Sequence, residues 1–191
     1  MKFFSFFILF FLSLTVFAQK PCELDSDIAD SIGTYKATKD YLMYEKIFAG
    51  DSNYIFTSLV LTDGIPTLNI QFIEKSFDFI KARCFDKNSK IYLQLNDGKI
   101  ITLIHIDHDD CGTMIRDEKG FNNRILTGVF MFQKETFEDL KKSPVSLMRI
   151  RYASDQQDYI FKKELKSELD GKMYEPENYF VNYLHCISDG K

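Results

Sequence analysis

The residues best suited to chemistry form one short run, His105-Ile-Asp107-His108-Asp109-Asp110-Cys111. Imidazole and carboxylate groups together can bind zinc or another transition metal. In a strand, His105 and Asp107 would share one face, and His108 would project elsewhere unless the strand had already ended. The interpretation we favour is a strand exit whose polar side chains meet water. The alternative is a metal-dependent hydrolase that uses His105, Asp107 and His108.

A long connection overlaps this run. Residues 107–124 contain few strand-forming side chains, whereas connections in compact domains usually have about 4–6 residues. Long loops on a rigid sheet are common places for recognition. Phe121 is the one aromatic residue of this loop, and it serves either as a contact residue or as a cover for the core, the more common role.

Charge is unevenly distributed along the chain. Residues 141–166 carry seven basic and three acidic side chains, whereas residues 22–63 carry eight acids and three lysines. Arg149 and Arg151 are two positions apart, so both project from one face of a strand. A pair of arginines can hold an anionic glycan, a phosphate or an acidic peptide. The alternative is that the basic segment pairs with the acidic N-terminal half or is simply solvated.

Most sequence signatures of catalysis are absent. The chain has no GxSxG elbow, Walker A loop, HExxH motif or Gly-rich dinucleotide turn. With 24 basic and 28 acidic residues the formal charge is −4, which argues against nucleic acid as a partner. We therefore expect no cofactor, and a non-catalytic binding or envelope-associated protein rather than an enzyme.

The first eighteen residues have the pattern of a secretory signal peptide. Lys2 precedes an apolar stretch, and Val16-Phe17-Ala18 offers small residues at the two positions that a signal peptidase recognises. The alternative, a membrane anchor, needs about 20 apolar residues, and Ser13 and Thr15 interrupt this stretch. The predicted organisation is a signal peptide at 1–18 and one domain at 19–191. After cleavage we expect no stable membrane span, and a periplasmic, cell-surface or secreted location.

Four cysteines remain after cleavage, an even number that suits disulfides in an oxidising compartment. We favour Cys84–Cys111, at the two ends of a predicted hairpin, and Cys22–Cys186, which would join the termini. Loop entropy gives upper estimates of about 3.6 and about 5 kcal/mol for the two closures. Four buried free thiols are the alternative, and a zinc site is less favoured because the chain has no CxxC pair.

Alternation of apolar residues predicts a mainly β domain, at the margin of α+β: an antiparallel, sandwich-like meander. A short helix after Thr136, opened by a capping box, and a C-terminal amphipathic helix after Pro176 complete it. Residues 23–33 are predicted as a short helix or a loop. The predicted strands are 41–48, 54–62, 67–73, 77–85, 90–95, 99–106, 125–132, 145–152 and 159–163. For 77–85 a helix is the alternative, and Asn96-Asp97-Gly98 is the clearest hairpin turn.

Two features resemble exported, β-rich proteins of Bacteroidota that have no assigned function. One is the Phe-rich leader ending in Phe17-Ala18-Gln19, and the other is the span Leu140-Lys-Lys-Ser-Pro-Val-Ser-Leu-Met-Arg-Ile-Arg151. The resemblance implies an exported location and transfers no functional residue. Recognition through the 107–124 loop and the Arg149/Arg151 face is the first functional hypothesis, with an anionic glycan or another envelope protein as partner. A structural or inhibitory partner protein is a further possibility.

Overall fold

Antiparallel strands account for most of the chain. The computed structural model describes residues 20–133 and 136–188, and the predicted signal peptide lies outside these ranges. The strands are β1 (Leu24–Ala29), β2 (Thr34–Thr38), β3 (Tyr41–Phe48), β4 (Asp51–Thr62), β5 (Ile65–Ser76), β6 (Lys90–Leu95), β7 (Ile100–His105), β8 (Thr113–Arg116), β9 (Asn122–Phe132), β10 (Val145–Arg151), β11 (Gln156–Ile160), β12 (Leu165–Lys166) and β13 (Met173–Tyr174). Two short helices, α1 (Phe137–Leu140) and α2 (Tyr179–Tyr183), lie within the same described ranges.

Three long strands form the centre of one large sheet. Its order is β1-β2-β4-β5-β9-β7-β6-β10-β11, with β3 also paired to β4 and β8 also paired to β9. We call β4, β5 and β9 the spine. The turn between β4 and β5 is Asp63-Gly64, and both residues have positive φ, as a tight two-residue hairpin turn requires. This turn fixes the register of the whole β4–β5 ladder.

The sheet curls until β3 and β11 face each other, and the rings of Tyr44 and Tyr159 lie 5.2 Å apart. Alternate residues of the strands point inwards and form a single hydrophobic core. Leu59, Leu68 and Leu103 are completely buried in it. The predicted mainly β, antiparallel, sandwich-like fold is therefore confirmed.

An irregular segment before β6 packs a side chain into this core. Phe85 is fully buried and packs against the rings of Phe130, Tyr152 and His105. The space for its ring exists because residue 128 is glycine: a Cβ there would lie 2.8 Å from Phe85 Cδ2. A disulfide bond between Cys84 and Cys111 ties down the residue next to Phe85.

The C-terminal segment is tied to the sheet in a similar way. The predicted amphipathic helix is present as three short pieces: a 3₁₀ turn at Pro176–Asn178, α2, and a second 3₁₀ turn at Leu184–Ile187. The predicted apolar face is correct in that Phe180, Leu184 and Ile187 are buried. A second disulfide bond joins Cys22 to Cys186. No helix among the described residues has the length and apolar character to cross a membrane.

Two predicted elements are wrong. Residues 23–33 contain the edge strand β1 and a turn in place of a helix or loop. The helical spacing of Leu24, Ile28 and Ile32 misled the prediction because Ile28 and Ile32 are exposed, so the spacing marks no buried face. Residues 77–85 are an irregular crossing segment rather than a strand, and only Phe85 forms an isolated bridge, to Asp110.

Other differences are smaller. Thr136 makes no capping hydrogen bond to α1, and its hydroxyl instead donates to the carbonyl oxygen of Gln133. Strands β2 and β8 were missed, and β8 lies inside the connection at 107–124. The hairpin across Asn96-Asp97-Gly98 is confirmed as β6 and β7. The hairpin predicted across residues 154–158 is present as β10 and β11, but its turn lies at 152–155 because β11 begins at Gln156.

We predict that Gly128→Ala destabilises the protein by about 1–3 kcal/mol, because the added methyl group must displace the Phe85 ring. Urea unfolding would measure the loss as a lower midpoint with an unchanged slope. Thr127→Ala is the matched control, since residue 127 is the exposed neighbour on the same strand. Equal midpoints for Gly128→Ala and the unmodified protein would contradict the close packing described here.

Candidate functional site

The three residues of the alternative metal site, His105, Asp107 and His108, do not converge. His105 points into the core, where it is 5% exposed and packs against the rings of Phe85 and Phe130. Its Nδ1 lies 3.0 Å from the carbonyl oxygen of Asp86. Asp107 and His108 follow the end of β7 and are exposed. The expectation of a strand exit with solvated polar residues fits Asp107 and His108, whereas His105 is a core residue.

Asp107 and His108 contact each other rather than a third ligand. His108 Nδ1 lies 2.7 Å from Asp107 Oδ1, and the hydrogen bond from the backbone N–H of His108 lowers the pKa of the Asp107 carboxyl. Among the described residues, the one group of three possible metal ligands is Cys22, His185 and Cys186. Their two sulfurs are bonded to each other, so neither is a free thiolate ligand. The geometry therefore gives the hydrolase alternative no assembled metal centre.

The connection at 107–124 is more ordered than a loop. Strand β8 pairs with the start of β9, and Asp117 organises the turn between them. The Asp117 carboxylate accepts hydrogen bonds from the backbone N–H groups of Lys119 and Phe121, both at 3.0 Å, and from Lys75 Nζ at 2.9 Å. The hydrogen bond from Lys75 is the main cause that lowers the pKa of Asp117 to about 2.

Phe121 is engaged within the molecule. Its ring centroid lies 3.7 Å from that of Phe77, and the Lys75 ammonium group lies 4.4 Å from the same ring. Phe77 is itself 60% exposed, so Phe121 packs against a surface aromatic ring and a lysine, neither of which belongs to the hydrophobic core.

The predicted arginine face is present on the outer surface of β6, β10 and β11. Cross-strand pairing places Tyr92, Arg149 and Asp158 in one row, and Lys90, Arg151 and Gln156 in the next. We call these six residues the arginine face. Three cations share it with one carboxylate. Within the described residues Lys90 and Arg151 form no salt bridge, so their charges remain available to a ligand.

Arg149 is held rigidly by its cross-strand partner. Its Nε and Nη2 donate to the two carboxylate oxygens of Asp158 at 2.6 and 2.7 Å. This bidentate pair raises the pKa of Arg149 and lowers that of Asp158. It also fixes the guanidinium plane, leaving Nη1 free of this partner. Arg149 thus pairs with Asp158 on the neighbouring strand and not with the acidic N-terminal half, whereas Arg151 is exposed.

A shallow groove of about 330 Å³ lies on this face. Arg149 and Gln156 line it together with Tyr92, Gln94 and two apolar side chains, Ile100 and Leu147. An aromatic ring, two amides and a guanidinium group therefore meet the same open space. The sequence located Arg149 and Arg151, but Tyr92 and the glutamines could be added only once the strand register was known.

A partly buried polar cluster around Arg83 was not evident from the sequence. The guanidinium group lies 3.2 Å from Glu74 Oε1 and above the Tyr152 ring at 5.4 Å. The hydroxyls of Tyr152 and Tyr159 share a hydrogen bond of 2.9 Å. Burial raises the pKa of Tyr152 above its usual value and that of Tyr159 to about 12, so both phenols stay protonated and unsuited to nucleophilic attack.

Comparisons of the chain with protein-family models, with curated proteins and with solved structures found no match. The resemblance to exported proteins of Bacteroidota therefore stays an expectation. Function has to be inferred from the geometry and charge of the surfaces described above.

We predict that the amide proton resonance of Phe121 titrates with a midpoint at about pH 2, because its N–H donates to Asp117. Because the pKa of Asp117 is lower in the folded protein than in the unfolded chain, its carboxylate stabilises the turn fully above pH 3.8, the ordinary pKa of this group. This stabilisation is lost as the pH falls through about 2. In Lys75→Met the midpoint should move towards 3.8. Lys119→Met, which removes a lysine whose backbone alone contacts Asp117, should leave the midpoint in place. An unshifted midpoint in Lys75→Met would contradict the assignment.

Proposed function

We propose that the protein is an exported, non-catalytic binding module that takes an anionic saccharide on the arginine face. The observation that carries the proposal is the cross-strand alignment of Lys90 with Arg151 and of Tyr92 with Arg149. Lys90 and Arg151, which form no salt bridge in the described part of the chain, and the oriented guanidinium group of Arg149 thus flank the Tyr92 ring on one sheet. This arrangement differs from a scattered basic surface because every member is fixed by strand register.

Each group on the arginine face matches a part of a charged sugar. Guanidinium and ammonium groups bind carboxylate or sulfate oxygens. The amides of Gln94 and Gln156 both donate and accept hydrogen bonds, as sugar hydroxyls do. The ring of Tyr92 offers an apolar surface with a polar tip. A phosphate ion would use the cations and leave the ring and the amides without a role.

The proposed location rests on two independent features. The leader at 1–18 has the pattern of a secretory signal. Two disulfide bonds are typical of proteins in oxidising extracellular compartments. Together they favour a periplasmic, cell-surface or secreted protein, where polysaccharides and other envelope proteins are the available partners.

The test compares two single variants with a charge-matched control on immobilised alginate, a polyuronate, and on heparin, a sulfated polysaccharide. Arg151→Glu should weaken binding by at least about tenfold, about 1.4 kcal/mol, because it reverses one of the free charges. Tyr92→Ala should weaken binding without any change of charge. Lys119→Glu carries the same charge change as Arg151→Glu on the turn between β8 and β9, and it should bind normally.

Three outcomes would reject this function. One is the absence of binding to either polysaccharide. Another is equal weakening by Arg151→Glu and Lys119→Glu, which would indicate only nonspecific attraction between opposite charges. The third is unchanged binding by Tyr92→Ala, which would reduce the surface to a simple anion site. When none of these outcomes is found, tighter binding to alginate indicates recognition of carboxylates, and tighter binding to heparin indicates recognition of sulfates.

A further inference from the structure

A second groove crosses the outer face of the spine, away from the arginine face. It encloses about 310 Å³ and is bounded by Asp40 beside β4 and by Asp107 beyond β9. We call it the spine groove. The side chains that matter on its floor are Phe56, Ser58, Asn69, Gln71 and Thr127.

Each wall of the spine groove forms where one strand beside the spine ends and another strand continues the pairing. On one side of β4, β3 pairs as far as Thr57 and β2 takes over at Val60, so residues 38–40 cross this gap. Thr38 fastens the crossing, since its Oγ1 accepts a hydrogen bond from the Leu59 N–H at 2.9 Å. The groove therefore has a fixed wall where an ordinary sheet would present a further strand.

The other side of the spine repeats this arrangement. Strand β8 pairs with β9 up to Ile125, and β7 pairs with it again from Phe130. The connecting chain crosses this second gap, and the Ile106 N–H donates to the Val129 carbonyl oxygen at 3.0 Å. Asp107 is the next residue and forms the end of the groove. One wall is thus held by a hydrogen bond from a backbone N–H to a threonine hydroxyl, and the other by a hydrogen bond between backbone groups.

The floor is polar although much of it is shielded from water. Register places Ser58 beside Asn69, and Phe56, Gln71 and Thr127 in the adjacent row. Ser58 is only 9% exposed, and Asn69 and Gln71 are half-buried. Within the described part of the chain, the side chains of Ser58, Asn69 and Gln71 have no hydrogen-bond partner. None of their polar atoms is both buried and unpartnered within the described residues, so these hydroxyl and amide groups stay open to hydrogen bonds from a ligand.

We propose that the spine groove binds an uncharged saccharide. Amides and hydroxyls both donate and accept, which matches sugar hydroxyls, and Phe56 offers an apolar surface for a sugar ring. The ionisable side chains that line the groove are carboxylates, so an anionic ligand would be repelled. A cationic ligand fits less well, because Asp40 and Asp107 stand at opposite ends and Asp107 already contacts His108.

The experiment uses the folded chain and a panel of neutral hexasaccharides: cellohexaose, laminarihexaose, maltohexaose and mannohexaose. At least one should bind at millimolar concentration and shift the side-chain amide resonances of Asn69 and Gln71 in ¹⁵N spectra. The double variant Asn69→Ala with Gln71→Ala should lower its affinity at least tenfold. Binding to alginate should be unchanged in this variant, which separates the result from that on the arginine face.

A matched variant removes two amides from the other groove. Gln94→Ala with Gln156→Ala should keep the neutral hexasaccharide affinity, and thermal melting should confirm that both double variants fold. The proposal is overturned if no neutral hexasaccharide binds, or if binding survives Asn69→Ala with Gln71→Ala. It is also overturned if glucosamine hexamers, which are cationic, bind and the neutral sugars do not.

Discussion

The packing of Phe85 against Gly128 is the contact on which the rest of the structure depends. Strand β9 lies in the middle of the sheet, and its inward residue 128 has no side chain, so the Phe85 ring can reach the sheet itself. The Cys84–Cys111 disulfide joins this segment to the connection that leaves β7. One aromatic side chain therefore fixes the chain on both sides of β6 and β7, including the crossing that bears Asp107.

The polar and ionisable side chains of the interior are packed against, or hydrogen-bonded to, other side chains there. The imidazole of His105 packs against Phe85, and the hydroxyls of Tyr152 and Tyr159 are paired with each other. Arg83 is neutralised by Glu74. These side chains therefore serve the packing and hydrogen bonding of the interior, whereas Asp107 and His108 stay exposed beyond β7.

The sequence was most informative where local chemistry decides the structure. Asn96-Asp97-Gly98 requires a tight turn, and the alternation on either side of it gives β6 and β7. It failed at 77–85 because the alternation in this segment is that of a strand, while the carbonyl groups of Phe77, Asp78 and Ile80 accept hydrogen bonds from side chains. Arg124 Nε donates to the Ile80 oxygen at 3.2 Å, and no local pattern announces such a partner.

The candidate sites show more clearly that local sequence patterns predict only local arrangements. Spacing alone placed Arg149 and Arg151 on one face, because two residues of one strand define it. Asn69 and Gln71 are far from Val129 and Thr127 in the chain, and only the β5–β9 register places Asn69 beside Val129 and Gln71 beside Thr127. That register depends on how three long strands pack around a common core, which no single segment encodes.

The two outer grooves differ in charge because they form in different ways. The arginine face needs only strand residues in register, and long basic side chains suit it because their apolar stems can extend over the open surface of the sheet. The spine groove needs chain crossings as walls, and the crossings bring Asp40 and Asp107, residues at strand ends where short polar side chains are common. Both grooves rest on one rigid sheet, so ligands would meet surfaces already in their binding geometry. Binding would then cost the protein little conformational entropy. This matters because each contact to a saccharide is weak and can offset only a small cost.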